Sequence, residues 1–424
     1  MKVKNCFTTA LLASQAMIDD YLFKCANRVK PEYFSRDGKM GFKETMLFML
    51  NMIKKSLQHE LNNFFETVLK KGDSISKQAY SEARKKIEPK AFIELNDRIN
   101  KVVYEEFNEY ELWNGYRLSA IDGTVLELPN TELLREQFGY AGNHKGTVAR
   151  AKASCLFDIV NKIVIKSKID RYGTPEQDMA ESLILQLIKD GAKRELILLD
   201  RGYPSVAFMS FLIKNGIDFV MRAQSNYLTT VINPGKADQI IKIKHGQEVY
   251  PVRVLRFFLS SGIEEILLTS LHDKKFKIKD FKNLYFKRWG IETKYDELKN
   301  RLQIENFTGT TKIAIEQDFY ASIYLSNMIE LARKQSDEVI DNSNNDKCLK
   351  YEYKTNLNIL IGSLKDKFIL MLLEKSNRKR NKMFKEIMDQ VSRCRVPIRP
   401  GRQNERKKIV LTRGKYKMNR KSCL

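Results

Sequence analysis

Two Asp in this sequence sit where a carboxylate is costly unless a cation shares its charge, and a Glu on a basic-striped helix joins them. Asp122 falls within Ala120-Ile121-Asp122-Gly123-Thr124, whose apolar neighbours imply burial. Asp200 ends the apolar run Leu196-Ile197-Leu198-Leu199 and enters a glycine turn, Asp200-Arg201-Gly202-Tyr203-Pro204. Glu292 lies in the stretch Asp280–Arg301, where Tyr285, Arg288, Glu292 and Lys299 follow one another at spacings of three, four and seven. At about 100° per residue these four share an arc of roughly 60° on one helix face. Leu284, Ile291, Tyr295, Leu298 and Leu302 gather on a neighbouring face that would dock the helix on a sheet. Taken singly, each Asp reads as a cap or ion-pair partner, and the striped helix as a solvated face with i,i+4 pairs. Taken together, the three compose a hard, all-oxygen cation site of the kind Mg²⁺ prefers, completed by water and substrate phosphate. Two such ions ~4 Å apart would activate a water or hydroxyl and stabilise the leaving oxygen of a phosphoryl transfer.

Positioning such a site takes a sheet, and the patterning supplies one. Alternation over Arg117–Leu128 and the Val/Ile-rich run Ile159–Ile169 predict two strands. A helical stretch, Glu176–Lys189, leads to the apolar strand Glu195–Asp200, and one more helix leads to a strand at Asp218–Arg222. Strand–helix–strand order of this kind argues for an α/β layer with a partly parallel sheet. Ligand sites in such sheets gather at the carboxyl ends of strands, where Asp200 stands. Residues 226–272 hold further strand-like runs (Tyr227–Ile232, Val249–Phe258, Glu265–Leu271) that read as a β insertion. Residues 1–110 are patterned as helices, as in Phe42–Lys70. Within them a short basic helix, Lys77–Ile87, follows the cap residues Asp73–Ser76 and stops at Glu88-Pro89. It is expected to expose Lys77, Gln78, Ser81, Arg84 and Lys85, either as a solvated face or as a helix that enters a major groove. After Gly309 the chain is helical again, with a polar linker at Ser336–Asp346 and an apolar helix at Asn356–Leu373.

The spacing Tyr285-x2-Arg288-x3-Glu292-x6-Lys299 resembles the Y-R-E-K signature of bacterial insertion-sequence DDE transposases. The surroundings are similar too: Asp122-Gly123-Thr124, Asp200-Arg201-Gly202-Tyr203, Ile304–Gly309, Gln317–Tyr320, and the N-terminal segment Gln78–Arg84. The resemblance covers about residues 70–335. It implies an RNase H-like α/β core at 111–335, with a mixed sheet interrupted by the β insertion and flanked by a helical N-terminal DNA-binding region (1–110) and a helical basic region (336–424). It implies that Asp122, Asp200 and Glu292 bind catalytic Mg²⁺, for which Mn²⁺ can substitute. Tyr285, Arg288 and Lys299 would then contact the DNA backbone near the cleaved end, with Arg201, Arg84 and Gln78 as further DNA contacts. Trp289, outside the signature, reads as a packing residue. The implied activity is cleavage of double-stranded DNA at the ends of an element and joining of those ends to target DNA. Two ends joined in one complex call for a homodimer on DNA, and the apolar helix Asn356–Leu373 reads either as its interface or as a helix packed within the monomer.

Composition agrees with a nucleic-acid partner. The 424 residues carry a formal charge of +23, and residues 375–424 hold 18 Lys and Arg against only Glu386, Asp389 and Glu405. A segment this basic attracts polyanions through counterion release, with DNA the leading candidate and an anionic membrane surface the competitor. No apolar run approaches the ~18 residues of a membrane span. The run Ala10–Ala13 is followed by Gln15, Asp19 and Asp20, which argues against a secretory leader. Six scattered Cys at no metal or redox spacing point to reduced thiols in a cytosolic protein and away from zinc. The four His show no arrangement for serine hydrolysis, and no GxxxxGK[ST] loop calls for ATP. A nuclease or domesticated derivative that cuts without inserting, and a non-catalytic nucleic-acid binder, remain the alternatives.

Overall fold

The computed structural model describes residues 5–399, apart from residues 37, 54, 144–145, 192, 229–231, 234 and 345–348. Nine of the 18 Lys and Arg of the basic C-terminal segment, those beyond residue 399, therefore lie outside the described residues. The chain divides into two compact units. A sheet unit comprises residues 110–126 and 151–297, and a helical unit comprises residues 1–109, 127–150 and 298–424.

The chain begins with helices α1 (Cys6–Asp19), α2 (Tyr21–Asn27), α3 (Phe42–Met49), α4 (Leu57–Asn63), α5 (Lys77–Arg84) and α6 (Lys90–Lys101). Strand β1 (Arg117–Glu127), helix α7 (Glu132–Phe138), β2 (Tyr140–Asn143), β3 (Gly146–Asp158) and β4 (Ile163–Arg171) follow. Next come α8 (Glu176–Lys189), β5 (Glu195–Leu199), α9 (Val206–Lys214) and β6 (Asp218–Ala223). Then follow β7 (Asp238–His245), β8 (Glu248–Phe258), β9 (Glu264–Thr269), α10 (Ile278–Phe286) and α11 (Trp289–Asp296). Helices α12 (Lys312–Asn344), α13 (Leu357–Leu373) and α14 (Asn377–Arg393) complete the larger elements.

In the sheet unit the strand order is β4-β3-β1-β5-β6-β9-β8-β7. β1, β5 and β6 run parallel, whereas β3–β4, β6–β9, β9–β8 and β8–β7 are antiparallel. This is the expected mixed sheet, and β7–β9 extend it beyond β6 rather than standing apart from it. All five residues of β5 are buried, as a central strand requires. Ile121, Ile197, Leu199, Phe219 and Met221 face one aliphatic core with Ile184 and Leu187 of α8 and Phe208 and Leu212 of α9. Side chains alternate along strands, so Asp122 and Arg222 point to the opposite face. β3 and β7 have no counterpart in the sequence reading. Tyr227 and Leu228, expected in a strand, lie in a turn, and residues 229–231 fall outside the described residues.

In the helical unit α12 packs against α6, α1, α13 and α14. It runs unbroken through Ser336, which is fully buried, so the expected linker at Ser336–Asp346 is helix as far as Asn344. Asn327 Nδ2 donates to Asn96 Oδ1 of α6 at 2.7 Å. The apolar face of α13 (Leu360, Leu364, Phe368) is buried, with α13 packed on α1, α12 and α14, so this candidate dimer surface is covered within the chain. Part of the basic tail is also folded. Arg380 of α14 is buried, with Nε on the Met371 carbonyl at 3.0 Å and Nη2 on Gln15 Oε1 at 2.7 Å. Among the described residues no helix is long and apolar enough to cross a membrane.

Candidate active site

The parallel pairing of β1 with β5 runs from Arg117–Glu195 to Ala120–Leu198 and ends there, so the candidate carboxylates stand just beyond it. Asp122 Oδ1 accepts the Gly123 N–H at 2.8 Å. Its main-chain carbonyl accepts from Tyr295 Oη at 2.7 Å and Ser154 Oγ at 3.1 Å. Asp200 follows β5 directly, and its Oδ1 accepts the Gly202 N–H at 2.7 Å, closing the turn. Gly123 leaves room for a neighbour that sequence reasoning missed. A Cβ there would sit 3.0 Å from the carboxyl of Glu176, in the first turn of α8.

The stretch expected as one helix from Asp280 to Arg301 is three segments. α10 ends at Phe286, a turn at Lys287–Arg288 intervenes, α11 follows, and Glu297–Arg301 form a π turn. Apolar periodicity survives these breaks, which is why the sequence reads as continuous. The π turn adds a residue to the local repeat and so takes Lys299 out of a stripe reckoned at 100° per residue. Lys299 belongs to the helical unit, with its Nζ 3.8 Å from Glu305 Oε1. The other three stay in the sheet unit. Arg288 is buried, donates through Nη2 to Glu292 Oε1 at 2.8 Å, and places Nη1 3.5 Å from Asp122 Oδ2. One guanidinium thus bridges the carboxylates of β1 and α11. Its Nε is buried with no hydrogen-bond partner among the described residues. Tyr285 was expected to meet DNA, but it is buried and its hydroxyl donates to the Leu199 carbonyl at 3.3 Å. Trp289 is 45% exposed rather than packed away, with the Arg288 guanidinium 5.5 Å from its ring.

Charge is concentrated here. Burial pushes the Asp122 carboxyl up to about 6, and the neighbouring charges of Asp200 and Glu176 push the same way, against the Gly123 N–H and Arg288. Tyr203 is fully buried and its hydroxyl has no hydrogen-bond partner among the described residues. Burial and the charges of Glu176, Asp122 and Asp200 hold its phenol well above the usual range. The oxygen donors fit a hard divalent cation, since a cation beside Asp122 would offset its burial and the like charges around it. Among the described residues, however, no three His, Cys, Asp or Glu side chains already stand as a metal cage, and the cation between Asp122 and Glu292 is Arg288.

The remaining expected DNA contacts diverge. Arg201 is exposed beside Asp200, and Gln78 is exposed on α5. Arg84, expected on the same open face as Gln78, is instead buried at 2% exposure. Its Nε donates to Gln317 Oε1 at 2.9 Å, its Nη2 to Asp318 Oδ1 at 2.7 Å and the Ala314 carbonyl at 3.1 Å, and its Nη1 to Thr308 Oγ1. Gln317 Nε2 donates back to the carbonyls of Arg84 at 2.8 Å and Ile87 at 2.7 Å. The motifs around Thr308 and Asp318 therefore anchor α5. Arg222, not singled out from sequence, follows Met221, the partner of Leu199 in the β5–β6 pairing, and its charge acts on Tyr285. The signal was there: one cation inside the apolar strand Asp218–Ala223.

Transposase InsG for insertion sequence element IS4 of Escherichia coli (strain K12) is 24% identical over 237 residues, 51% of this chain and 52% of that protein. The match thus spans about half the length of that relative. A cryo-EM structure of the piggyBac transposase synaptic complex with hairpin DNA aligns at 14% identity and a TM-score of 0.44, covering 97% of this chain and 92% of that one. The family model for the transposase DDE domain matches residues 113–328, slightly more than half of the chain, and this chain belongs to that family.

Proposed function

We propose that this chain is a DNA transposase that cuts and joins DNA strands at the ends of an insertion element, with Asp122, Asp200 and Glu292 as its metal-binding carboxylates. The observation that carries this reading is the Arg288 bridge, which gathers Asp122 of β1 and Glu292 of α11 around one positive charge. A divalent-metal requirement goes with the DDE transposase domain, and Mg²⁺ is our assignment from the oxygen-only donors. Bound there, the metal would supply charge neutralisation at the phosphate and lower the pKa of an attacking hydroxyl. Arg288, exposed Arg201 and Lys299 are the proposed contacts to phosphate oxygens of the DNA. Cleavage forms a bond from phosphorus to water oxygen and releases a 3′-OH. In joining, that 3′-OH attacks a target phosphodiester and releases the target's own 3′ oxygen, so the number of phosphodiester bonds is conserved and no nucleotide cofactor is needed. Gln78 on α5 would read end sequence, and two ends joined in one complex would require a dimer on DNA.

The test is cleavage and joining of DNA carrying the element's own ends. Asp200→Asn should reduce strand cleavage by at least about 10³-fold, the scale on which electrostatic stabilisation of the reacting group acts. DNA binding should remain, because the basic surface is untouched. Retained cleavage would refute the triad, and cutting without joining would identify a nuclease. Gln78→Ala should narrow the affinity gap between end DNA and random DNA, and sedimentation on paired ends should show two copies of the chain.

A further inference from the structure

We propose that Tyr285 and Tyr295 are positioning residues that set the spacing of the candidate carboxylates, an inference that rests on the functional reading above. The strands need such fasteners. The pairing of β1 with β5 ends at Ala120–Leu198 and that of β5 with β6 at Leu199–Met221. The Leu199 carbonyl closes the β5–β6 ladder, and the Asp122 carbonyl lies beyond the β1–β5 ladder though still within β1, where Ser154 Oγ of β3 also donates to it at 3.1 Å; each accepts a further side-chain donor. Tyr295 Oη supplies one to Asp122 at 2.7 Å, and Tyr285 Oη supplies one to Leu199, whose peptide leads into Asp200, at 3.3 Å.

The donors sit on the segments that carry the rest of the site. Tyr295 stands three residues after Glu292 on α11, and Tyr285 stands near the end of α10, three residues before Arg288. Tyr295 thus ties β1 at Asp122 to the helix bearing Glu292, and Tyr285 ties the end of β5, next to Asp200, to the segment leading into Arg288. The turn at Lys287–Arg288 lets α10 and α11 be fastened separately, which a single rigid helix would not allow. Both rings are buried, and a Phe would fill the same space. The hydroxyl is the part that packing alone does not require.

The experiment uses the full chain without DNA and Mn²⁺ alone as the probe, with the free ion counted by electron paramagnetic resonance. Wild type is compared with Asp122→Asn, Tyr285→Phe and Tyr295→Phe, each also melted thermally. Asp122-dependent Mn²⁺ binding should weaken about 10- to 100-fold in each Phe variant, the range for partners that orient metal ligands, with melting close to wild type. On end DNA the same variants should lose kcat and keep KM. The singles are read separately, so a variant that unfolds leaves the other to decide. Phe variants that bind Mn²⁺ like wild type, or melt early with unchanged affinity in the folded fraction, would overturn the positioning role and leave the triad standing. Mn²⁺ binding indifferent to Asp122→Asn would overturn the triad itself.

Discussion

Two buried arginines, one in each unit, are used in opposite ways. Arg84 of the helical unit has all three guanidinium nitrogens engaged, by Gln317, Thr308, Asp318 and the Ala314 carbonyl. Arg288 of the sheet unit holds two carboxylates, one at 3.5 Å, and keeps a buried Nε without a partner among the described residues. A saturated buried ion is a structural tie, because any exchange of partners would cost hydrogen bonds. An unsaturated one is poised to change partners, since an incoming phosphate or cation replaces what it lacks or holds. Burial alone does not separate structural from functional charge; completeness of bonding does.

The contrast can be broken in three ways. Arg84→Ala should cost about 3–5 kcal/mol, the usual result of leaving one partner of a buried ion pair uncompensated. Urea unfolding would measure it, and a loss under about 1 kcal/mol would make Arg84 no tie at all. Arg288→Gln should do the reverse, lowering strand cleavage by about 10²–10³-fold while stability stays within about 1 kcal/mol of wild type. That mildness is expected because the change also removes a poorly satisfied buried charge. A third buried charge, Glu195, lies between the two cases. One carboxylate oxygen meets Arg117 Nη2 at 2.6 Å, while Oε2 is buried without a hydrogen-bond partner among the described residues. Burial dominates and pushes this carboxyl up to about 7, with Arg117 pulling against it. The folded state therefore holds the proton more tightly than the unfolded chain. The stability this contributes is fully present below the ordinary Glu range and is lost as pH rises through about 7. Between pH 5 and 8 wild type should lose up to about 3 kcal/mol relative to Glu195→Gln. Parallel stability curves for the two proteins would show that Arg117 suffices.

The legible parts of this molecule were those carried by short-range pattern. β1, β5 and α8 announce themselves through alternation, an apolar run and helical period, and Asp122 and Asp200 are conspicuous as carboxylates at the apolar strands. β3 was hidden because Arg150 and Lys152 interrupt its run of small residues, and β7 because exposed Ile240 blurs its alternation. Arg84 looked solvent-facing beside Glu82 and Lys85, and only partners far along the chain bury it. Glu176, Tyr203 and Tyr295 could not have been found by spacing. Their nearness to Asp122 arises from three different elements meeting in space.

The Arg84 anchor also constrains the order in which the protein can assemble. Its acceptors lie 224 to 234 residues downstream, on the far side of every residue of the sheet unit. During synthesis α5 emerges long before Thr308 or Asp318 exists, whereas the sheet unit is complete by residue 297. Loop-closure entropy grows only slowly with length, so the thermodynamic penalty of this arrangement is modest. The kinetic consequence is larger, because distant pairings form late. The helical unit that leads in sequence therefore cannot close fully first: α5 can pack on α3 and α4 early, but its Arg84 tie waits until the polypeptide beyond the sheet has left the ribosome.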